Sequence, residues 1–197
     1  MTARIDTLIV LGAGGDLTSR LLLPGLASYL ASDDAHSLTL VGVDRQEMDD
    51  SKWRARVATS FAGTVSSAAD AVASASHYVQ ADVTDPDALR ELISSASGRV
   101  ALYFALPPAI AQKVVSVLAT VTLPEGIVLA LEKPFGSDEA SARDLNRLLQ
   151  TIVPEEQVFR VDHFLGKSTV LNLLGLRFAN RVFEPLLAAP NVAKVEL

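Results

Sequence analysis

Short apolar runs recur along the chain, and each ends in a polar or glycine-rich turn. Residues 8–11 (LIVL), 38–43 (LTLVGV), 100–105 (VALYFA) and 127–131 (IVLAL) are almost wholly apolar. Continuous runs of this length suit strands covered on both faces. Shorter runs at 77–80 (HYVQ) and 158–161 (VFRV) add further strand candidates, and 191–197 reads as the start of another. Between these runs the apolar positions fall at helical spacing. The pattern predicts a helix over 17–30 capped by Asp16, and one through Trp53, Val57 and Phe61 capped by Asp50 or Ser51. It predicts another through Leu89, Leu92 and Ile93, with Thr84 or Asp85 as cap and Pro86 in the first turn. Helices over 109–122, through Leu145 and Leu149 with Ser137 as cap, and over 168–187 complete the set. The Ala- and Ser-rich stretch 62–76 reads as a helix end followed by a surface segment.

Strands alternating with helices of ordinary length predict an α/β fold, a doubly wound and mostly parallel sheet with right-handed crossovers. Ligands of such sheets sit at the carboxyl ends of the strands. The turns 12–16, 44–46, 106–108, 132–135 and 162–167 are therefore expected to share one rim. The domain expected from this pattern spans 1–187, with 188–197 opening a second, α+β domain that the chain does not complete.

Composition narrows the function classes. The chain has 197 residues, 49% hydrophobic and 20% charged, with a net charge of −6. Scattered acidic residues and the lack of a long basic run argue against a nucleic-acid partner. The absence of cysteine excludes disulfides, thiolate nucleophiles and Cys-zinc sites. Only His36, His77 and His163 offer imidazoles, with no metal-ligand spacing, so no metal is expected. Residues 1–6 lack a leader pattern and no apolar run reaches membrane-spanning length, so a cytoplasmic protein without a membrane partner is expected.

The candidate chemistry starts at Gly12-Ala13-Gly14-Gly15-Asp16-Leu17-Thr18, between the first strand and the first helix. Its spacing is G-x-x-G-x-x-T on Gly12, Gly15 and Thr18. Glycines allow close backbone approach, and the helix start offers N–H groups and a partial positive charge to a phosphate. A tight turn without a ligand gives the same pattern. Asp44-Arg45 closes the second strand: an acid there suits a ribose diol, an arginine suits a 2′-phosphate, and a solvated turn is the alternative. Lys133, between Glu132 and Pro134, is a fixed ammonium able to polarise a hydroxyl or carbonyl, or a solvent-facing lysine. In Asp162-His163-x-x-x-Lys167 a helical geometry would set His163 and Lys167 on one side as phosphate donors. Asp162 could orient a general base, and a buried, paired histidine is the alternative for His163.

Together the runs GAGGDLTSR, VGVDRQ, ALPP, EKPFG, RVDHFLGK and LRFANRVFEP, in this order from Leu8 onward, resemble the amino-terminal part of glucose-6-phosphate dehydrogenases. The resemblance implies a Rossmann-type dinucleotide-binding domain and an oxidoreductase of carbohydrate metabolism. Such enzymes oxidise glucose 6-phosphate at C1 to 6-phosphogluconolactone while reducing NADP or NAD, the first step of the pentose phosphate pathway. The resemblance implies that Gly12 and Gly15 hold the pyrophosphate, that Asp16 and Leu17 also bind the cofactor, and that Arg45 and Gln46 meet the adenosine 2′-phosphate end. Pro107 would lie beside the cofactor, and Lys133 would touch both substrate and nicotinamide. Pro134 matches a proline that is cis in the family. His163 and Lys167 would hold the sugar phosphate, and Asp162 would pair with the catalytic histidine. That histidine lies in a following domain of the family, so the 197 residues alone are expected to bind cofactor with little or no turnover. A homo-oligomer is implied for the full-length family member. Three positions depart from the pattern: Phe164 replaces a tyrosine, Gly14 a serine or threonine, and Asp44 a small neutral residue. Asp44 brings NAD in beside NADP. A non-catalytic dinucleotide-binding module and another sugar oxidoreductase are the competing readings.

Overall fold

The computed structural model describes residues 4–32 and 37–194, apart from the side chain of His163. Strands β1 (Thr7–Leu11), β2 (Thr39–Asp44), β3 (His77–Gln80), β4 (Val100–Phe104), β5 (Val128–Glu132) and β6 (Val158–Val161) form one sheet in the order β3-β2-β1-β4-β5-β6. The pairs β1–β2, β1–β4, β2–β3 and β4–β5 are all parallel. Strand order reverses between β1 and β4, so the crevice of this doubly wound sheet opens where their carboxyl ends part.

Each strand sends alternate side chains to opposite faces. Ile9, Leu11, Val43, Leu102 and Leu129 meet helices α4 (Pro86–Ser95), α5 (Pro108–Leu118) and α6 (Glu139–Ile152) on one side. Val10 and Leu40 meet α1 (Leu23–Ser32), α2 (Asp50–Phe61) and α3 (Ser67–Ala75) on the other. Burying each large aliphatic side chain contributes about 1.5–3 kcal/mol, which is why continuous apolar runs mark the strands. The strands begin and end within a residue or so of their expected positions.

The helix ends depart further. Asp16 does not cap the first helix; it is its first residue, and its carboxylate pairs with Arg20 at 3.0 Å. The helix continues as a π-helical turn, Thr18–Leu22, before α1. Asp49, not Asp50 or Ser51, caps α2 by accepting from Lys52 N–H at 2.8 Å. Asp50 is drawn away to the N–H of Tyr78 at 2.7 Å, a contact across the sheet edge that local sequence does not reveal. The 62–76 stretch is not a surface segment: Ser66 caps α3, whose Ala68, Ala69, Val72 and Ala73 are buried. Asp85 caps α4 as expected. Asp138, not Ser137, caps α6 in a reciprocal box with Ser141.

The chain divides between Arg160 and Val161 into two compact units. In the second, a 3₁₀ turn (His163–Gly166) leads to α7 (Ser168–Phe178). The helix expected over 168–187 stops at Phe178. The Asn180 side chain then accepts from Val182 N–H at 3.0 Å and holds a turn instead. Of the strand expected over 191–197, residues 191–194 are turn and irregular backbone; 195–197 lie outside the described residues. Among the described residues no helix is long and apolar enough to cross a membrane.

Candidate functional site: a cleft at the strand-order reversal

The loop after β1 is built from one close approach and a cluster of hydrogen bonds. Gly12 has φ +89°, and a Cβ there would lie 2.2 Å from the carbonyl oxygen of Ala105, just past β4. Only glycine allows the two strand ends to touch in this way. The N–H groups of Gly12 and Ala13 both donate to Val43 O, at 2.8 and 3.0 Å. Gly12 O in turn accepts from Gly15 N–H and from the buried Thr18 hydroxyl, each at 3.1 Å. The three residues of the G-x-x-G-x-x-T spacing thus converge on one carbonyl. Arg56 of α2 closes the outside, donating to Gly14 O at 2.8 Å and Ala13 O at 3.3 Å.

Above this loop lies a cleft of about 280 Å³. Its lining comes from the carboxyl ends of four strands: Gly12 and Gly15, Val43 to Arg45, Ala81 to Thr84, and Ala105 to Pro107, with Ile110 and Lys113 of α5. Of the predicted cofactor residues, Gly12, Gly15, Arg45 and Pro107 line it. Asp16, Leu17, Gln46 and Lys133 do not. Asp16 and Leu17 open the helix beyond Gly15, where N–H groups have no intrahelical acceptor. The Gln46 N–H donates to Asp44 at 3.3 Å, and its carbonyl accepts from the Tyr78 hydroxyl.

Asp82, Thr84 and Lys113 are lining residues that the sequence reading missed. The same rule that selected the other turns, position at the carboxyl end of a parallel strand, also selects 81–84 after β3. Asp82 accepts from the Thr84 hydroxyl at 2.7 Å and its N–H at 2.9 Å. Those bonds, with smaller help from the positive charges of Arg45 and Lys113, hold its carboxyl below the usual range. The cleft therefore carries two carboxylates, Asp44 and Asp82, and two cations, Arg45 and Lys113.

Asp44 is engaged on both oxygens. Its Oδ2 accepts from Gly14 N–H at 3.0 Å, and its Oδ1 from the N–H groups of Arg45 at 2.7 Å and Gln46 at 3.3 Å. Burial raises the pKa of Tyr78 and the negative charge of Asp44 raises it further, while Arg56 acts in the opposite sense.

Lys133 follows β5 directly and is exposed. The Lys133–Pro134 peptide is cis. The preceding Glu132 accepts from the hydroxyl of Tyr103 on β4. Burial pushes the Tyr103 phenol up, and the bond to Glu132 and its charge push it further.

The second unit holds the remaining predicted residues. Asp162 Oδ1 accepts from Phe164 N–H at 3.0 Å and starts the 3₁₀ turn in which His163 lies. Lys167 ends that turn and caps α7, and its ammonium stands 4.0 Å above the centre of the Phe164 ring. The position where the family pattern has a tyrosine thus makes a cation–π contact rather than a hydroxyl bond. Among the described residues no His, Asp and Glu group could hold a metal ion.

Comparison with known proteins gives a consistent result. Residues 9–172 match the family model described as "Glucose-6-phosphate dehydrogenase, NAD binding domain". The glucose-6-phosphate 1-dehydrogenase of Zymomonas mobilis is 35% identical over 100% of this chain and 43% of its own length. Glucose-6-phosphate 1-dehydrogenase 1 of Mycobacterium bovis is 36% identical over 98% of this chain and 42% of its own. Among solved structures, glucose-6-phosphate 1-dehydrogenase from Mycobacterium avium superposes with a TM-score of 0.75 at 33% identity, covering 94% of this chain and 42% of that one. A glucose-6-phosphate dehydrogenase in complex with glucose 6-phosphate gives 0.77 at 26% identity, covering 96% and 43%. The chain spans less than half the length of these relatives.

Proposed function

The chain belongs to the glucose-6-phosphate dehydrogenase family, through that family's NAD-binding domain, and on that premise we propose that it is the dinucleotide-holding part of an enzyme that oxidises glucose 6-phosphate at C1 to 6-phosphogluconolactone. The observation that carries this reading is the cleft at the strand-order reversal. Its floor is a tight turn in which Gly12 packs against Ala105 and, with Gly15, leaves the cleft side bare of side chains, as a bound dinucleotide would require.

The residues present fit a nicotinamide dinucleotide. Gly12 and Gly15 keep the floor low, and the N–H groups of Asp16 and Leu17 at the helix start suit the pyrophosphate charge. Pro107 walls the cleft from the β4 side. Arg45, with Gln46 beside it, is the cation that would meet the adenosine 2′-phosphate when the dinucleotide bound is NADP; NAD has no such group to meet. A bound nicotinamide would supply the acceptor for the hydride from C1. Lys133 polarises the C1 hydroxyl side of the substrate, His163 and Lys167 bind its phosphate, and Asp162 orients the catalytic histidine that the family carries in its following domain, which takes the hydroxyl proton. A charge-assisted bond from Lys167 contributes about 1.5–3 kcal/mol to holding such an anion.

Titration calorimetry with NAD, NADP and glucose 6-phosphate tests the proposal on the chain itself. The folded chain should bind a dinucleotide. Gly15→Ala, whose Cβ would lie 3.2 Å from Gly12 O, should weaken that binding about tenfold or more without changing Trp53 emission. Arg45→Ala should cost NADP more than NAD, and Lys167→Ala should weaken glucose 6-phosphate. Failure of both dinucleotides to bind at millimolar concentration would refute the reading. Dinucleotide binding without any sugar-phosphate binding would favour a plain dinucleotide-binding module.

A further inference from the structure

We propose that Asp44 makes this chain select NAD over NADP, by occupying with its own carboxylate the anion site that a 2′-phosphate would need. The inference rests on the dinucleotide reading of the cleft and concerns only which dinucleotide it takes.

The argument starts from the backbone. The N–H groups of Gly14, Arg45 and Gln46 converge from two loops on one carboxylate, Gly14 on Oδ2 and the other two on Oδ1. Three convergent N–H donors make an anion hole. Here they all donate to Asp44, so the hole is filled by an anion tethered to the chain. A phosphate at this place would have to displace the carboxylate from three bonds or sit beside it uncompensated.

Gly14 belongs to the same device. A Cβ at Gly14 would lie 3.0 Å from Asp44 Oδ2 and 3.0 Å from Gln46 Oε1. A serine or threonine here, with a hydroxyl to offer a phosphate, would crowd the carboxylate. The missing side chain at 14 leaves the room that the Asp44 carboxylate occupies.

The rest of the cleft does not restore a phosphate site. Arg45 and Lys113 face a lining that also carries Asp44 and Asp82, so the formal charge of these four is zero. A 2′-phosphate brings a charge of about −1.5 to −2. A ribose 2′-hydroxyl brings none, and it can donate. An ionised carboxylate has about four acceptor positions. Asp44 uses three of them on N–H groups, which leaves one on Oδ2 for a hydroxyl at the cleft wall.

Calorimetry on the wild-type chain at about 0.15 M salt, where exposed charge effects are partly screened, tests this directly. NAD is expected to bind at least about tenfold more tightly than NADP, a difference of about 1.4 kcal/mol. Asp44→Ala should move the NADP:NAD affinity ratio at least tenfold toward NADP. Asp44→Asn, which keeps the shape and removes the charge, should move it in the same direction, with Trp53 emission reporting that the fold is kept. Wild-type binding of NADP as tight as that of NAD would overturn the proposal, as would an unchanged ratio in both variants. Those results would leave the dinucleotide reading standing, whereas absence of binding by either dinucleotide would remove its premise.

Discussion

Replacing Gly12 by alanine and Gly25 by alanine is the same chemical change with opposite expected signs. Gly12 has φ +89°, where a residue with a Cβ costs about 1–2 kcal/mol. The added Cβ would also lie 2.2 Å from Ala105 O and 2.9 Å from Ala105 C. Both are backbone atoms at the end of a central strand, so no side chain can swing away. Relief requires β1 and β4 to separate, which strains the bond from Ala105 N–H to Leu11 O at 2.9 Å. Overpacking of this kind costs about 1–3 kcal/mol, and a lost hydrogen bond about 1 more. Gly12→Ala is therefore expected to destabilise the fold by about 3–6 kcal/mol, which lowers Tm by about 6 °C or more in a chain of this size. Gly25 sits exposed inside α1, with no positive φ and nothing within 4 Å of the place a Cβ would take. Gly25→Ala should stabilise by about 0.5–1 kcal/mol. Urea unfolding of both variants, followed by Trp53 emission, gives both numbers from one baseline. A loss under about 1 kcal/mol for Gly12→Ala would refute the claim that the strand ends touch there.

Gly42→Ala on β2 would place a Cβ 2.6 Å from the buried Trp53 ring, so it should cost about 1–3 kcal/mol and shift the emission of the chain's single tryptophan. Asp85→Ala removes the acceptor of the Asp87 and Ala88 N–H groups at the start of α4 and should cost about 1 kcal/mol, read as a lower urea midpoint at unchanged slope. Tyr103 titrates above its unfolded value because burial and Glu132 disfavour the phenolate. Its contribution is complete below about pH 10 and is lost as pH rises above that value, because the unfolded chain then ionises first. In an alkaline scan at 295 nm Tyr103 should give a late ionisation phase, and Tyr103→Phe should abolish it.

The four inner strands β2, β1, β4 and β5 were legible because they are largely buried on both faces, and that leaves nearly unbroken apolar runs in the sequence. The cleft-lining turns after β1, β2 and β4 followed from the same pattern, since each of those runs ends in a turn. What stayed hidden depended on contacts across the fold. α3 packs through Ala68, Ala69 and Ala73, small residues that fit close to the sheet but leave no large apolar period. The sequence offered Asp50 or Ser51 as cap, but Asp49 caps α2 while Asp50 accepts from Tyr78 N–H, 28 positions away. The 81–84 loop read only as the approach to a helix cap, though it ends a parallel strand and lines the cleft. Asp44 and Gly14 each stood out as departures, but their mutual bond at 3.0 Å belongs to the folded chain alone.

Hydrogen-bond accounting in the glycine loop explains why its residues divide the work. The N–H groups of Gly12 and Ala13 are spent on Val43, that of Gly14 on Asp44, and that of Gly15 on Gly12 O. None of the four remains for a phosphate without first breaking an internal bond. The loop conformation is thus held by the protein itself, with Thr18 below and Arg56 outside, before any ligand arrives. Negative charge must be met one step further along, where Asp16 and Leu17 begin the helix and their N–H groups have no intrahelical partner. The glycines then act through what they lack, a Cβ that would fill the approach. Asp16 and Leu17 act through backbone, so their side chains are free to do other things, as the Asp16–Arg20 pair does on the surface. On the proposed reading, such a site would hold a pyrophosphate by position and leave the choice between dinucleotides to the end of β2, where Asp44 stands.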